Sequence, residues 1–119
     1  MKKWTLLVSI CSVFFLGFAA NAFAADKKLK AGFVYVGPVG DYGWSHAHDL
    51  GRKFAEKKFP WLESVIVESV AESDSARIID RLFQQQKCDV VFTTSFGYME
   101  DTIKAGKRYP DKYLLHCSG

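Results

Sequence analysis

The chain has 119 residues, 49% of them apolar, with sixteen Lys and Arg against thirteen Asp and Glu and a formal charge of +3. That length supports one small domain, and a charge so close to neutral, with no stripe of Arg interleaved with aromatics, argues against nucleic acid as a partner. Part of the excess is N-terminal: without Lys2 and Lys3, fourteen basic residues face thirteen acidic ones, a formal +1.

Those two lysines open a secretory signal. An apolar run from Trp4 to Ala20 follows them, and Ala22-Phe23-Ala24 closes it with small residues at the two positions a signal peptidase reads. A spanning anchor needs roughly 20 apolar residues, and Ser9 and Ser12 interrupt this run. Cys11 follows Ile10, where a lipid-attachment site wants a small residue, so lipidation is not expected. Residues 1–24 are therefore expected to be cleaved near Ala24, with no stable membrane insertion afterwards. The exported remainder, residues 25–119, is about 95 residues long, enough for a modest core.

Lys27, Lys28 and Lys30 make the one local basic cluster, which reads as a solvated start to the exported domain. Leu29 to Gly37 is apolar, β-branched and aromatic, and reads as a strand buried on both faces. Val39 to Trp44 is a glycine-punctuated loop. From Ser45, a plausible N-cap, the period becomes helical through Ala47, Leu50, Phe54, Ala55 and Lys58, and Pro60 ends the helix. Ser64 to Ala71 reads as a second strand. Ser73, Asp74 and Ser75 offer caps for a helix with Ala76, Ile79, Leu82 and Phe83 inward and Arg77, Asp80 and Arg81 outward. Asp89 to Thr94 is a third strand. Ser95 to Tyr98 turns into a third helix, with Glu100 and Asp101 in its first turn and Lys104, Lys107 and Arg108 towards its end, matching the helix dipole. Lys112 to Cys117 begins a fourth strand.

Strands alternating with helices across short joins predict βαβ units: an α/β fold with a parallel sheet flanked by helices, in the flavodoxin-like order 2-1-3-4. Cys88 and Cys117 then sit at opposite ends of neighbouring strands. At roughly 3.3 Å per residue that is about 15 Å, beyond the roughly 7 Å a disulfide tolerates. Two free thiols, both buried, are expected. The fourth strand has no helix after it to cover the sheet, so the sequence reads as the first portion of something longer.

In open α/β sheets ligands bind beyond the carboxyl ends of the strands where strand order reverses. Here that means the loops after the first and third strands. Asp41, Tyr42, Gly43, Trp44 and Ser45 come from the first, and Ser95, Phe96, Gly97 and Tyr98 from the second. Glycine lets backbone approach a ligand, Tyr and Trp add flat faces with polar handles, and Asp41 accepts hydrogen bonds. Ser45 and the first helical N–H groups meet an acceptor. Two aromatic-glycine loops side by side suit a planar, hydrogen-bonding ligand. The same aromatics could instead serve to pack the loops.

Rival chemistries find less support. Gly37, Gly40 and Gly43 are spaced three apart, unlike the dinucleotide fingerprint. His46 and His48 lie two apart on a helix, so their rings diverge, and no metal is expected. His116, Cys117 and Ser118 are adjacent in sequence, but neighbouring strand residues point to opposite faces, so no catalytic triad forms. No catalytic residues and no cofactor are expected.

The segments KLKAGFVYVGPVGDYGWSHAHDLGRK, ESVAESDSARIIDRL, VVFTTSFGYMEDTIKAGKRYPDKY and HCSG resemble the start of the basic membrane protein (BMP) family of ABC-transporter solute-binding proteins. GDYGWSHAHD and TTSFGYM are the specific ones, and the likeness covers essentially all of residues 25–119. It implies a type I periplasmic-binding fold, two α/β lobes joined by hinge strands, with this chain as the N-terminal lobe truncated before the hinge and second lobe. Family members are about three times as long, the size of a two-lobed protein. The likeness also implies a purine base or nucleoside as ligand and an ABC permease and ATPase complex as partner. Trp44 falls where the family places an aromatic that stacks on the base, with Asp41, Tyr42 and Ser45 lining that loop and Phe96, Gly97 and Tyr98 forming a second wall.

The purine-nucleoside branch more often has Asp-Lys-Ser-Phe-Asn where this chain has Asp41-Tyr42-Gly43-Trp44-Ser45, which tilts the expectation towards a free base such as adenine. The missing lipobox points to the periplasm. A sugar or other small polar solute, a truncated product without activity, and an exported α/β enzyme are the alternatives.

Overall fold

The computed structural model describes residues 27–118; the signal segment and its cleavage point lie outside them. The elements alternate as β1 (Leu29–Val34), α1 (Trp44–Lys58), β2 (Leu62–Val67), α2 (Ser75–Gln84), β3 (Val90–Thr93), α3 (Met99–Arg108) and β4 (Tyr113–His116). Single 3-10 turns at Val39–Asp41, Glu72–Asp74 and Phe96–Tyr98 precede the three helices. Every strand pair is parallel and the order is β2-β1-β3-β4, the order expected from the alternation. In register, Val34 faces Val67 on one side and Thr93 on the other, and Thr93 faces His116.

The strands are shorter than their apolar runs because the chain turns before the apolar residues end. Tyr35 still accepts a bond from Val70 N at 3.0 Å, but Ser69 at φ 53° swings the intervening residues off the sheet. Alternation along each strand divides the sheet into two faces. On one, Val34, Val91 and Leu114 pack with Ile78, Ile79, Leu82, Phe83, Tyr98 and Ala105 from α2, α3 and the turn between β3 and α3. Ile78 joins Ile79, Leu82 and Phe83 as a buried residue of α2, while Arg77 and Arg81 stay outside. Gly32 packs closely here: a Cβ would lie 3.0 Å from a Leu82 methyl and 3.3 Å from Cys88 Sγ, so both would have to give.

The second face is covered differently. Leu50 and Phe54, which marked the helical period of α1 in the sequence, are 54% and 65% exposed. The side turned to the sheet is polar. Asp49, 1% exposed, receives Arg52 Nε at 2.6 Å and Lys53 Nζ at 2.8 Å. Arg52 also donates to Glu56 and to Ser64 Oγ on β2, and Glu56 accepts from Ser64 N. Burial alone would raise the Asp49 carboxyl, but its bonds from Arg52 and Lys53 outweigh that and hold it below its ordinary value. A buried carboxylate with two cationic donors is satisfied, which is the condition for its being there at all.

Beyond α1 this face is thinly covered. Phe33 and Phe92 stack with ring centroids 4.7 Å apart and 5° between planes. Together with His48, Thr94, Leu115, His116 and Cys117 they line a hollow of about 330 Å³. Two expectations change here. β1 is not buried on both faces, since Phe33 is only half-buried. Cys117 is an exposed free thiol rather than a buried one, because β4 is the outermost strand of the described sheet and Cys117 falls past its end. Cys88 is a free thiol in the core, and burial pushes its pKa up. No helix among the described residues is long and apolar enough to cross a membrane.

Candidate ligand-binding edge

The carboxyl ends of β1 and β3 lie side by side, so the loops that follow them meet at the reversal point of the sheet. In the first loop Gly37 N donates to Ser45 Oγ at 3.0 Å and Val39 N to Glu68 Oε1 at 2.7 Å. The His46 Nδ1–H donates to the Val39 carbonyl oxygen at 2.9 Å, the carbonyl fixing the tautomer. Asp41 Oδ1 accepts from Gly43 N at 2.9 Å, a side-chain-closed turn. That turn leaves Tyr42 in the left-handed region at φ 58°, ψ 18°, with its side chain 83% exposed and its ring 4.8 Å from His46. Gly43, not Ser45, is the N-cap of α1, because Ser45 already lies inside the helix with its hydroxyl turned back to Gly37.

Trp44 opens α1 and crosses to the second loop: its Nε1–H donates to the Thr94 carbonyl oxygen at 2.6 Å. The ring is half exposed and meets His48 edge-on at 4.7 Å. Burial lowers the His48 pKa. Thr94 Oγ1 in turn donates to the Val34 carbonyl of β1 at 2.8 Å. In the second loop Ser95 Oγ and Gly97 N both donate to Glu72 Oε1, at 2.6 and 3.1 Å. Phe96 stands out between them, 67% exposed. Tyr98 is fully buried; its hydroxyl donates to the Val70 carbonyl at 2.6 Å, and burial pushes its pKa up to about 12.

The nine residues singled out in the sequence thus fall into two sets. Asp41, Tyr42, Gly43, Trp44, Phe96 and Gly97 are on the exposed edge. Ser45 and Tyr98 point inward and anchor the loops from below, and Ser95 spends its hydroxyl on Glu72. Trp44 and the second loop are brought together through Thr94. The hollow on the thinly covered face is next to this edge and contains His48 and Thr94, but neither Trp44 nor Phe96 lines it. Sequence reasoning missed Glu68, Glu72, His48 and Thr94. A signal for the first two was present: carboxylates in the loop after β2, the other neighbour of β1.

Flat exposed rings, one acceptor carboxylate and glycine-bearing backbone can hold a planar polar molecule by its faces and edge. Among the described residues no group of three or more His, Cys, Asp or Glu could hold a metal ion.

The four-stranded parallel sheet flanked by helices is an open α/β fold. A likeness in fold agrees: an ABC-transporter solute-binding protein from Conexibacter woesei superposes with a TM-score of 0.64 at 14% identity, over 72% of this chain and 28% of that one. The chain belongs to the Bmp family, described as ABC transporter substrate-binding protein PnrA-like, whose match spans residues 28–119. It is 40% identical over 116 residues to a purine-binding protein of Brucella abortus, covering 96% of this chain and 32% of that protein. It is 38% identical over 93 residues to a Haloferax volcanii protein named as an ABC transporter glucose-binding protein, covering 78% of this chain and 24% of that one. The chain therefore spans about a third of the first relative and a quarter of the second. The family is one of transporter substrate-binding proteins, not of enzymes.

Proposed function

We propose that the whole protein is the exported, periplasmic binding component of an ABC importer and that it captures a purine base or nucleoside, an adenine-like base foremost, for delivery to a permease and ATPase complex. The observation that carries this reading is the Trp44 indole, fixed to the Thr94 carbonyl while the residue stays half exposed. A ring so oriented is a stacking platform, worth about 1–3 kcal/mol per base. Asp41 accepts one backbone bond at Oδ1, leaving Oδ2 for a ligand N–H. Phe96 supplies a second face, while Ser45, Ser95 and Tyr98 hold the loops and Gly43 and Gly97 keep backbone close. A purine-binding relative at 40% identity supports the same reading.

A sugar is the second reading, favoured by the relative named as glucose-binding. Aromatic platforms with carboxylate acceptors serve sugar hydroxyls as well as base edges. Calorimetry of the whole protein against adenine, guanosine, ribose and glucose separates the two. Purine binding without sugar binding is expected; binding of ribose or glucose alone would overturn the purine assignment.

A further inference from the structure

Resting on that ligand-edge reading, we propose that Glu68 and Glu72 are the positioning residues of the site, two carboxylates on one short loop that set the places of the two ligand loops. The loop after β2 lies beside the end of β1, and its ends are bonded in different directions. Glu68 Oε1 receives Val39 N of the first loop, 29 residues earlier. Glu72 Oε1 receives Ser95 Oγ and Gly97 N of the second. Between them, Ser69 N donates to the Gly37 carbonyl at 3.4 Å, and the Val70 carbonyl accepts the buried Tyr98 hydroxyl. One loop is thus tied to both walls of the edge.

Three features favour positioning over mere loop packing. The carboxylate bonds are at the surface, where a hydrogen bond adds little to net stability but still fixes geometry. They go to the Val39 N–H, three residues before Tyr42, and to the Ser95 hydroxyl and Gly97 N–H on either side of Phe96, so they bear on where those rings stand. The Glu72 carboxylate also fills the space beside Gly97: a Cβ on Gly97 would overlap it. Gly97 is therefore matched to Glu72, and its missing side chain admits an internal carboxylate.

The test is a set of variants in the whole protein, read by adenine calorimetry and by hydrogen exchange at the Gly97 amide. Glu72→Gln keeps an oxygen acceptor and is expected to bind within about threefold of wild type, whereas Glu72→Ala frees the Phe96 loop and weakens binding roughly tenfold, the scale of one lost ordering constraint. Gly97→Ala alone should be as damaging, yet in the Glu72→Ala background it should add nothing, because the overlap has gone. Glu68→Ala should speed exchange at the Val39 amide, with Glu68→Gln restoring it. Wild-type affinity in Glu72→Ala, or simple additivity with Gly97→Ala, would overturn the proposal. If the wild type binds no purine, the ligand assignment fails by itself. Gly97 exchange then decides alone: acceleration in Glu72→Ala upholds the positioning role and an unchanged rate overturns it.

Discussion

Trp44 and Thr94, fifty residues apart in the chain, are joined by a single hydrogen bond from the indole Nε1–H to the carbonyl oxygen. The bond turns a loop aromatic into a fixed surface, since it orients the ring without covering it. Replacing Trp44 with Ala is expected to weaken purine binding roughly 10- to 100-fold, the worth of one stacked base. Trp44→Phe keeps a flat face but leaves the Thr94 carbonyl without this donor, for a stability loss of about 1 kcal/mol. Calorimetry and denaturant titration of the two variants separate stacking from anchoring. Equal affinities in Trp44→Ala and wild type would remove Trp44 from the site.

Tyr42 holds a left-handed conformation that a tyrosine does not choose. The cost is about 1 kcal/mol, and Asn tolerates that region far better. Tyr42→Asn should therefore leave the fold as stable or raise its unfolding free energy by up to about 1 kcal/mol, while binding weakens severalfold. A variant that gains stability and loses affinity would mark Tyr42 as strained for function; a clear loss of stability would show that the ring is needed for packing.

His48, edge-on to Trp44, has its pKa lowered by burial. A depressed histidine binds fewer protons folded than unfolded, so its contribution is whole above the unfolded value of 6.5 and is lost as pH falls below it. Trp44 emission should change with protonation of the neighbouring imidazole, with a midpoint below 6.5. A fluorescence titration with Trp4 and Trp61 both replaced by Phe reads this directly, and His48→Gln should abolish the transition.

Asp49 and Glu56 both have lowered pKa values. For Asp49 the Arg52 and Lys53 bonds overcome desolvation, and for Glu56 the Ser64 hydroxyl bond leads. Carboxyls depressed in the folded state contribute stability that is complete above their unfolded pKa values, and it drains away as pH falls through the folded ones. The carboxylate share of the unfolding free energy should hold from neutrality to about pH 5 and then decline. Asp49→Asn should flatten that decline and cost about 3 kcal/mol at pH 7, the penalty for removing one partner of a buried charge pair.

Much of this fold could be read from sequence periodicity. Val90, Val91 and Phe92 make a short apolar β-run, Ile79, Leu82 and Phe83 mark one helical face, and the alternation of such segments dictates a parallel sheet. The underside of α1 was harder. Leu50 and Phe54 have helical spacing, but Ser45, Asp49, Arg52 and Glu56 are spaced four, three and four apart and form an equally regular stripe. Hydrophobicity ranks the wrong side first when the inner face is made of mutually satisfied charges. The aromatic loops were legible because Trp, Tyr and Gly declare themselves. Glu68 and Glu72 were legible only as carboxylates in the loop after β2; their backbone partners, 29 and 25 residues away, are recorded by no local pattern.

That polar underside also governs how the edge can move. An oily interface permits a helix to creep by fractions of an ångström, since one methyl contact replaces another. Arg52 and Glu56, each committed to Ser64, offer no such intermediate stops: the helix is seated like a key in its wards. Trp44, at its tip, inherits one address.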